Sequence, residues 1–125
     1  MNSIEPNSLL SVPTGALRIP ELPRATINAD SEPLLSLVIP TYKEAGNIQK
    51  IVSVLSNLLD ESIPGNYELI VVDDDSPDGT WEIAQSLIRE YPQLQVMRRQ
   101  NERGLSSAVI RGWQAATGSI LGVID

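Results

Sequence analysis

Short apolar runs along the chain are separated by longer stretches with a different periodicity. Runs bounded by turn-forming residues predict buried β-strands at Leu34–Ile39, Tyr67–Val72, Leu94–Met97 and Ile120–Ile124. The first of these runs stops at Pro40, which suits a strand that ends in a turn. The apolar pattern therefore predicts a sheet of four strands.

The stretches between the strands have apolar residues at the period of an α-helix. Asn47 can cap a first helix, whose apolar stripe consists of Ile48, Ile51, Val52, Leu55 and Leu59. A second helix follows residues 73–80, with Ile83, Leu87, Ile88 and Tyr91 predicted to point inward. A third is predicted over Leu105–Thr117, with Gly118 as its C-terminal glycine.

The predicted order of elements is βαβαβαβ. Strands joined by helices of this length run parallel, with right-handed crossovers that cover both faces of the sheet. The fold class is therefore α/β, a doubly wound, Rossmann-like half in which helices flank a parallel sheet. Since the chain stops at Asp125, directly after the fourth strand, we expect residues 34–125 to be the N-terminal part of a truncated catalytic domain.

Residues 1–33 have a different composition from the rest of the chain. Five of the nine prolines fall here, among serines and asparagines, which predicts an extended arm rather than helix or sheet. Two apolar islands, Leu9-Leu10 and Leu17–Ile19, are suited to docking on a neighbouring subunit of a homo-oligomer. A mobile tail is the alternative interpretation.

Composition narrows the chemistry that the chain can perform. With 9 basic and 16 acidic residues the net charge is −7, which argues against nucleic acid as a partner. There is no cysteine and no histidine, which excludes disulfides, zinc catalysis and a Ser-His-Asp triad. Carboxylates and oxygen-binding cations such as Mg²⁺ or Mn²⁺ remain. No apolar run approaches the roughly 20 residues of a membrane-spanning helix, and a cytosolic face is the default expectation.

Polar groups follow three of the four predicted strands. They are Thr41–Glu44 after the first strand, Asp73–Asp75 after the second and Asp125 after the fourth. Parallel strands bring these groups to one edge, where open α/β sheets bind nucleotides or phosphates. Neither a G-x-G-x-x-G nor a G-x-x-x-x-G-K-[ST] motif is present, which disfavours a dinucleotide dehydrogenase or a P-loop enzyme.

This carboxylate-rich edge would repel an anionic nucleotide unless a divalent cation lay between them. It therefore predicts Mg²⁺ or Mn²⁺ bridging Asp125 and a diphosphate. Asp73 or Asp74 could accept hydrogen bonds from a nucleobase, beside the ring of Tyr42. In the alternative interpretation the aspartates are only turn formers and helix caps, and Glu44 is a first-turn helix acid.

Four arginines form a basic group in this acidic chain: Arg98, Arg99, Arg103 and Arg111. Solvation of a charged surface and attraction of a phosphate group are both consistent with such a group.

Four segments in order carry a resemblance to a known family. They are V-I-P-T-Y-K-E-A-G-N-I at 38–48, V-V-D-D-D-S-P-D-G-T at 71–80, N-E-R-G-L at 101–105 and G-V-I-D at 122–125. Residues 35–125 resemble the family 2 inverting glycosyltransferases with a GT-A fold. The S-P-D-G-T spelling is similar to the branch of polyprenyl-phosphate glycosyltransferases and dolichol-phosphate mannosyltransferases. Lys43 stands where the pattern often has asparagine, and Asp75 where it often has glycine.

This resemblance implies transfer of a sugar, with inversion, from a nucleotide sugar of the UDP-glucose or GDP-mannose type to a polyisoprenyl phosphate lipid. By the family pattern Pro40, Tyr42 and Glu44 would line the nucleotide pocket, and Val72 and Asp74 would contact the base. Asp125 would be the catalytic, metal-binding first acid of a D-x-D motif.

The resemblance also implies membrane association at the cytoplasmic face through parts that follow Asp125. We expect the 125-residue chain alone to be inactive, because the second acid of the motif is absent from it.

Two other functions are weighed against this one. A related glycosyltransferase could use a soluble or polysaccharide acceptor, although the S-P-D-G-T spelling disfavours it. A non-catalytic, Mg²⁺-binding regulatory module of the receiver type also clusters aspartates at strand ends. That module would need an aspartate after its third strand, whereas here Leu94–Met97 ends in arginines.

Overall fold

A computed structural model describes residues 33–125 as one parallel sheet with helices on both faces. The elements in chain order are β1 (Leu35–Thr41), α1 (Ile48–Ser62), β2 (Tyr67–Asp73), α2 (Thr80–Ser86), β3 (Leu94–Arg98), α3 (Leu105–Ala115) and β4 (Ile120–Val123). The predicted βαβαβαβ order and α/β class are confirmed. The predicted arm, apart from Pro33, lies outside the described residues.

The strands are arranged in the order β3-β2-β1-β4, and every neighbouring pair is parallel. The chain therefore builds outward from β1 in one direction and then returns to add β4 on the other side. Between β1 and β4 lies the point where the strand order reverses, and ligands of open α/β sheets bind at such a point.

Strand β1 does not stop at Pro40 as predicted but continues to Thr41. Pro40 pairs with Val72 of β2, whereas β4 pairs with β1 only as far as Val38. The carbonyl of Val38 faces β4, where it accepts a hydrogen bond from the Ile124 N–H. The backbone nitrogen of Pro40, two residues further along, faces the same side but lies beyond the end of β4. A proline without an N–H group is tolerated at such an edge position.

The second helix is shorter than its apolar stripe. It ends at Ser86, and turns follow over residues 87–90. Leu87, Ile88 and Tyr91 nevertheless pack into the core, together with Ile83 of the helix, as the prediction required.

Two apolar clusters fill the space between sheet and helices. Helices α1 and α2 cover one face, where the buried side chains include Ile48, Val52 and Leu69. Helix α3 covers the other face, and its Gly112 has so little space that an added Cβ would lie 2.7 Å from Val38. Burial on both faces accounts for the almost continuous apolar sequence of β2.

The predicted role of Gly118 as a helix C-terminal glycine is wrong. Helix α3 ends at Ala115, and Gly118 is not among the residues with a positive φ. Its N–H group donates to Ser36 Oγ (2.8 Å), and an added Cβ would lie 2.9 Å from the Ser36 backbone nitrogen. Close approach of two backbones, rather than a left-handed conformation, therefore requires glycine here.

None of the helices among residues 33–125 combines the length and the apolar character needed to cross a bilayer.

The contact of Gly118 with Ser36 yields a stability prediction. We expect Gly118→Ala to lower the free energy of unfolding by about 2 kcal/mol or more, because the methyl group would press on the backbone of β1. Gly46→Ala is the control, since nothing lies within 4 Å of its Cβ position. It should change stability by less than about 1 kcal/mol. Denaturant unfolding of both variants measures the difference, and equal stabilities would contradict the close approach.

Candidate functional site

The loop after β1 is held by side chains of the loop after β2. The backbone N–H of Lys43 donates to Ser76 Oγ (2.9 Å), and that of Glu44 donates to Thr80 Oγ1 (2.9 Å). The N–H of Ala45 donates to Asp78 Oδ2 (3.2 Å). Three polar residues of the S-P-D-G-T segment thus satisfy three successive N–H groups of the neighbouring loop.

The Asp78 carboxylate has a second function at the start of α2. Its Oδ1 accepts hydrogen bonds from the Thr80 hydroxyl (2.6 Å) and the Thr80 N–H (3.1 Å). These donors, with the hydroxyl contributing most and the N–H of Ala45 adding to it, hold the pKa of Asp78 below its usual value of 3.8. The ionised form of Asp78 therefore stabilises the junction between the two loops.

Both departures from the family pattern adopt left-handed backbone conformations. The φ angle is 59° at Lys43 and 55° at Asp75. Aspartate and asparagine tolerate this region better than most residues, and glycine does so at no cost. The turns after β1 and β2 are thus retained with the residues that this chain has.

Asp73 lies beneath the edge of the sheet and is fully buried. Its Oδ1 accepts from the hydroxyls of Thr41 and Ser76 (2.7 Å each), and its Oδ2 accepts from the Ser76 N–H (2.9 Å). Thr41 is the last residue of β1, and Ser76 lies in the loop after β2. The geometry matches the turn-forming and capping interpretation of this aspartate.

Asp74 is held differently, by a buried arginine. Arg99 Nε donates to Asp74 Oδ1 (2.7 Å), and Arg99 Nη2 donates to Asp74 Oδ2 (3.0 Å). The N–H of Gly104 also donates to Oδ2 (3.0 Å). Hydrogen bonding to Asp74 raises the pKa of Arg99 above its already high value. This ion pair is bidentate, the geometry that arginine forms best with carboxylates.

A cleft of about 350 Å³ opens at the point where the strand order reverses. Five of the predicted site residues line it: Pro40, Tyr42, Glu44, Asp74 and Asp125. Loop and helix residues that line it as well are Thr41, Arg103, Gly104, Leu105 and Ala108. The side chains of Val72 and Asp73 are fully buried and do not line this cleft.

A second cavity, of about 420 Å³, lies on the α1 side of the same edge. It shares Pro40, Thr41, Glu44 and Asp125 with the cleft, and its walls include Ile51 and Val54 among other apolar residues of α1. Asp125 thus lies between two open volumes, within reach of a ligand in either.

The four arginines do not act as one basic group. Arg98 pairs with Asp75 (2.8 Å) at the surface, and Arg99 is committed to Asp74. Arg103 lies over the ring of Tyr42, 4.7 Å from its centroid, and Arg111 is exposed on α3. Of the four, only Arg103 lines the cleft.

Sequence reasoning missed the function of Arg99. One signal was available, because β3 lies beside β2 in a sheet with this element order, so residues after β3 fall next to Asp73–Asp75. An arginine directly after an apolar strand is therefore a candidate partner for an aspartate after the adjacent strand.

Within residues 33–125 no group of three or more acidic side chains is placed to hold a metal ion. Asp125 is the predicted metal ligand, and it supplies one carboxylate at the cleft. Magnesium is commonly held by one or two carboxylates together with substrate phosphates and water. The donor chemistry of this edge fits Mg²⁺ or Mn²⁺ only if a bound diphosphate completes the set.

The cleft at the reversal point of the parallel sheet is lined by residues from all four segments that resemble the family 2 glycosyltransferases. The model of glycosyl transferase family 2 matches residues 36–125, and the chain belongs to this family. It is 50% identical over 91 residues to dolichol-phosphate mannosyltransferase of Pyrococcus furiosus, covering 73% of this chain and 25% of that protein.

Two further comparisons also match this chain to mannosyltransferases. A dolichol-phosphate mannosyltransferase of Mycosarcoma maydis is 36% identical over 101 residues, covering 78% of this chain and 34% of that protein. The mannosyltransferase PcManGT from Pyrobaculum calidifontis, solved in complex with GDP-Man and Mn²⁺, superimposes with a TM-score of 0.61 at 25% identity. That match covers 75% of this chain and 27% of PcManGT.

These findings confirm the family and the GT-A fold that the motifs implied. The chain spans between a quarter and about a third of the length of these relatives.

The buried position of Asp73 predicts a structural role for it. We expect Asp73→Ala to cost about 3 kcal/mol of stability, because three internal donors would lose their acceptor. Asp75→Asn is the matched control: its pair with Arg98 is exposed, and asparagine tolerates the positive φ. It should cost less than about 0.5 kcal/mol. Urea unfolding compares the two, and a stable Asp73→Ala variant would argue against the capping role.

The lowered pKa of Asp78 predicts a dependence on acid. Because the folded-state pKa lies below the unfolded value of 3.8, the contribution of Asp78 is complete above that pH. It is lost as the pH falls through the folded-state pKa. The melting temperature of Asp78→Ala should thus lie below that of the wild type at pH 6, with the gap narrowing below about pH 3.8. Thermal melts from pH 6 to 2 test this, and a gap that stays constant would exclude the ionised carboxylate as its cause.

Proposed function

We propose that this chain forms the nucleotide-binding part of a glycosyltransferase that transfers a sugar from a nucleoside diphosphate to a polyisoprenyl phosphate, with inversion. The observation that carries the proposal is the meeting of Tyr42, Glu44, Asp74 and Asp125 around one cleft. The names of the relatives, dolichol-phosphate mannosyltransferases, support this substrate class.

The donor proposed for this chain is GDP-mannose rather than UDP-glucose. PcManGT was solved with GDP-Man, and both sequence relatives are named mannosyltransferases. Asp74 is the candidate for recognising the base. Its carboxylate has about four acceptor positions, and three internal donors occupy three of them. The remaining position can accept from a ring N–H, and Tyr42 offers an aromatic face beside it.

Asp125 is the residue proposed to hold Mg²⁺ or Mn²⁺, with the diphosphate of the donor supplying further oxygens. When bound, the cation neutralises charge that develops on the departing diphosphate. Among residues 33–125 the carboxylate of Asp125 has no hydrogen-bond or ion-pair partner, in contrast to Asp73–Asp75. Its charge is therefore free to bind a cation.

The reaction proposed here does not require histidine. A phosphate acceptor is already ionised near neutral pH, so it needs little help from a general base, unlike a sugar hydroxyl. The work of the protein is then to bind the donor in a fixed orientation while the acceptor oxygen attacks the opposite face of the anomeric carbon. The loop after β1 suits this task because its backbone N–H groups are held by Ser76 and Thr80, which follow β2.

The acceptor and the cellular location follow from the same proposal. A polyisoprenyl phosphate lies in a membrane, so the catalytic domain would work at its cytoplasmic face, and the arm over residues 1–33 is a candidate for subunit contact. A glycosyltransferase with a soluble or polysaccharide acceptor is the alternative within the family. Membership of the family argues against the receiver-type module.

Calorimetric titration of the chain with GDP and UDP, each with and without Mn²⁺, tests the nucleotide site. We expect metal-dependent binding with preference for GDP. Asp125→Asn should weaken the metal-dependent binding by about 10-fold or more, because a cation ligand is lost. Asp75→Asn, the same change at an exposed pair outside the cleft, is the control and should bind as the wild type does.

The outcomes separate the alternatives. Preference for UDP would reassign the donor and leave the reaction class unchanged. Absence of binding by either nucleotide with Mn²⁺ present would reject the nucleotide site. Equal binding by the wild type and Asp125→Asn would reject Asp125 as the metal ligand.

A further inference from the structure

Arg99 is a buried cation in an acidic chain, with 7% of its surface exposed. It directly follows β3, and its guanidinium makes hydrogen bonds to four other residues. Nε and Nη2 donate to Asp74, Nη2 also donates to the Gly104 carbonyl (3.0 Å), and Nη1 donates to Ser107 Oγ (2.9 Å) and Glu102 Oε1 (3.1 Å). Burying a charge this deeply is costly unless every donor finds an acceptor.

These bonds join three parts of the chain beside the cleft. Asp74 follows β2, Gly104 ends the loop after β3, and Ser107 lies in the first turn of α3. Asp74 and Gly104 both line the cleft, and the Gly104 N–H itself donates to Asp74 Oδ2 (3.0 Å). Arg99 therefore lies behind the wall of the cleft, where it contacts both Asp74, the candidate base-recognition carboxylate, and Gly104.

We propose that Arg99 is a positioning residue for nucleotide recognition. Its two parallel N–H donors, Nε and Nη2, fix the plane of the Asp74 carboxylate, and its bond to the Gly104 carbonyl holds the loop after β3 beside that carboxylate. The inference rests on the proposed function, because it assigns a role within the same nucleotide site. A carboxylate held by two parallel N–H···O bonds cannot rotate, so its remaining acceptor position keeps one direction. Arg99 also neutralises the charge of Asp74, which lowers the repulsion of an anionic nucleotide.

Lysine cannot replace arginine in this role. Its ammonium keeps the positive charge but lacks the planar fork, so it would neutralise Asp74 without fixing the carboxylate plane. Arg99→Lys therefore separates positioning from charge. The matched control is Arg98→Lys, the same change at the adjacent residue, whose partner Asp75 lies at the surface outside the cleft.

The experiment measures GDP and UDP binding with Mn²⁺ for the wild type, Arg99→Lys and Arg98→Lys, together with amide hydrogen exchange at Gly104 without nucleotide. We expect Arg99→Lys to weaken binding of the preferred nucleotide by about 10-fold. The ratio of the two dissociation constants should move toward one, and exchange at Gly104 should become faster. Arg98→Lys should match the wild type in all three measurements.

Two results would overturn the inference. If the wild type binds a nucleotide and Arg99→Lys keeps its affinity and base ratio, Arg99 only supports the fold, and the proposed function stands. If the wild type binds neither GDP nor UDP, the proposed function fails and the positioning role fails with it.

A milder variant covers the case in which Arg99→Lys does not fold. Ser107→Ala removes one acceptor from the guanidinium and leaves the fork to Asp74 in place. It should weaken binding by about 2- to 5-fold and move the base ratio in the same direction. Wild-type affinity and base ratio in this variant would contradict the positioning role.

Discussion

The cleft depends on the loop after β2 supplying acceptors to the loop after β1. Backbone N–H groups at Lys43, Glu44 and Ala45 donate to side chains of Ser76, Thr80 and Asp78 instead of to backbone carbonyls. These three hydrogen bonds lie at half-buried to exposed positions, and each loop restrains the conformation of the other through them. These contacts account for the presence of S-P-D-G-T after the second strand of a chain that has Y-K-E directly after the first.

Much of this arrangement could be predicted from the sequence. Apolar runs and helical stripes are local signals, and the handedness of crossovers turns them into a parallel sheet whose carboxyl edge collects Tyr42, Asp74 and Asp125. The details that were wrong depend on neighbours distant in sequence. Pro40 fits within β1 because β4 is shorter, and Gly118 is glycine because Ser36 lies against it. Neither contact leaves a local signal.

Within the site, the different environments of the adjacent residues Asp73 and Asp74 could not be predicted from the local sequence either. Their sequence context is nearly identical, and the sequence left both as candidates for recognising the base. Side chains of a strand alternate between faces, so consecutive residues meet different surroundings. Asp73 is buried and accepts hydrogen bonds from Thr41 and Ser76, whereas Asp74 pairs with Arg99 and lines the cleft. The two aspartates are distinguished by these partners, and Arg99, which follows β3, is 25 residues further along the chain than Asp74.

The partners of each aspartate also distinguish the carboxylates that support the fold from the one proposed to bind a cation. Asp73 and Asp78 are stabilised by neutral donors, while Asp74 and Asp75 are paired with arginines. An acidic chain cannot gather so many carboxylates at one edge unless their repulsion is offset. Asp125 has no such compensation among residues 33–125, yet it lies at the reversal point of the sheet. A bound cation would offset the charge of Asp125 as Arg99 and Arg98 offset the charges of Asp74 and Asp75.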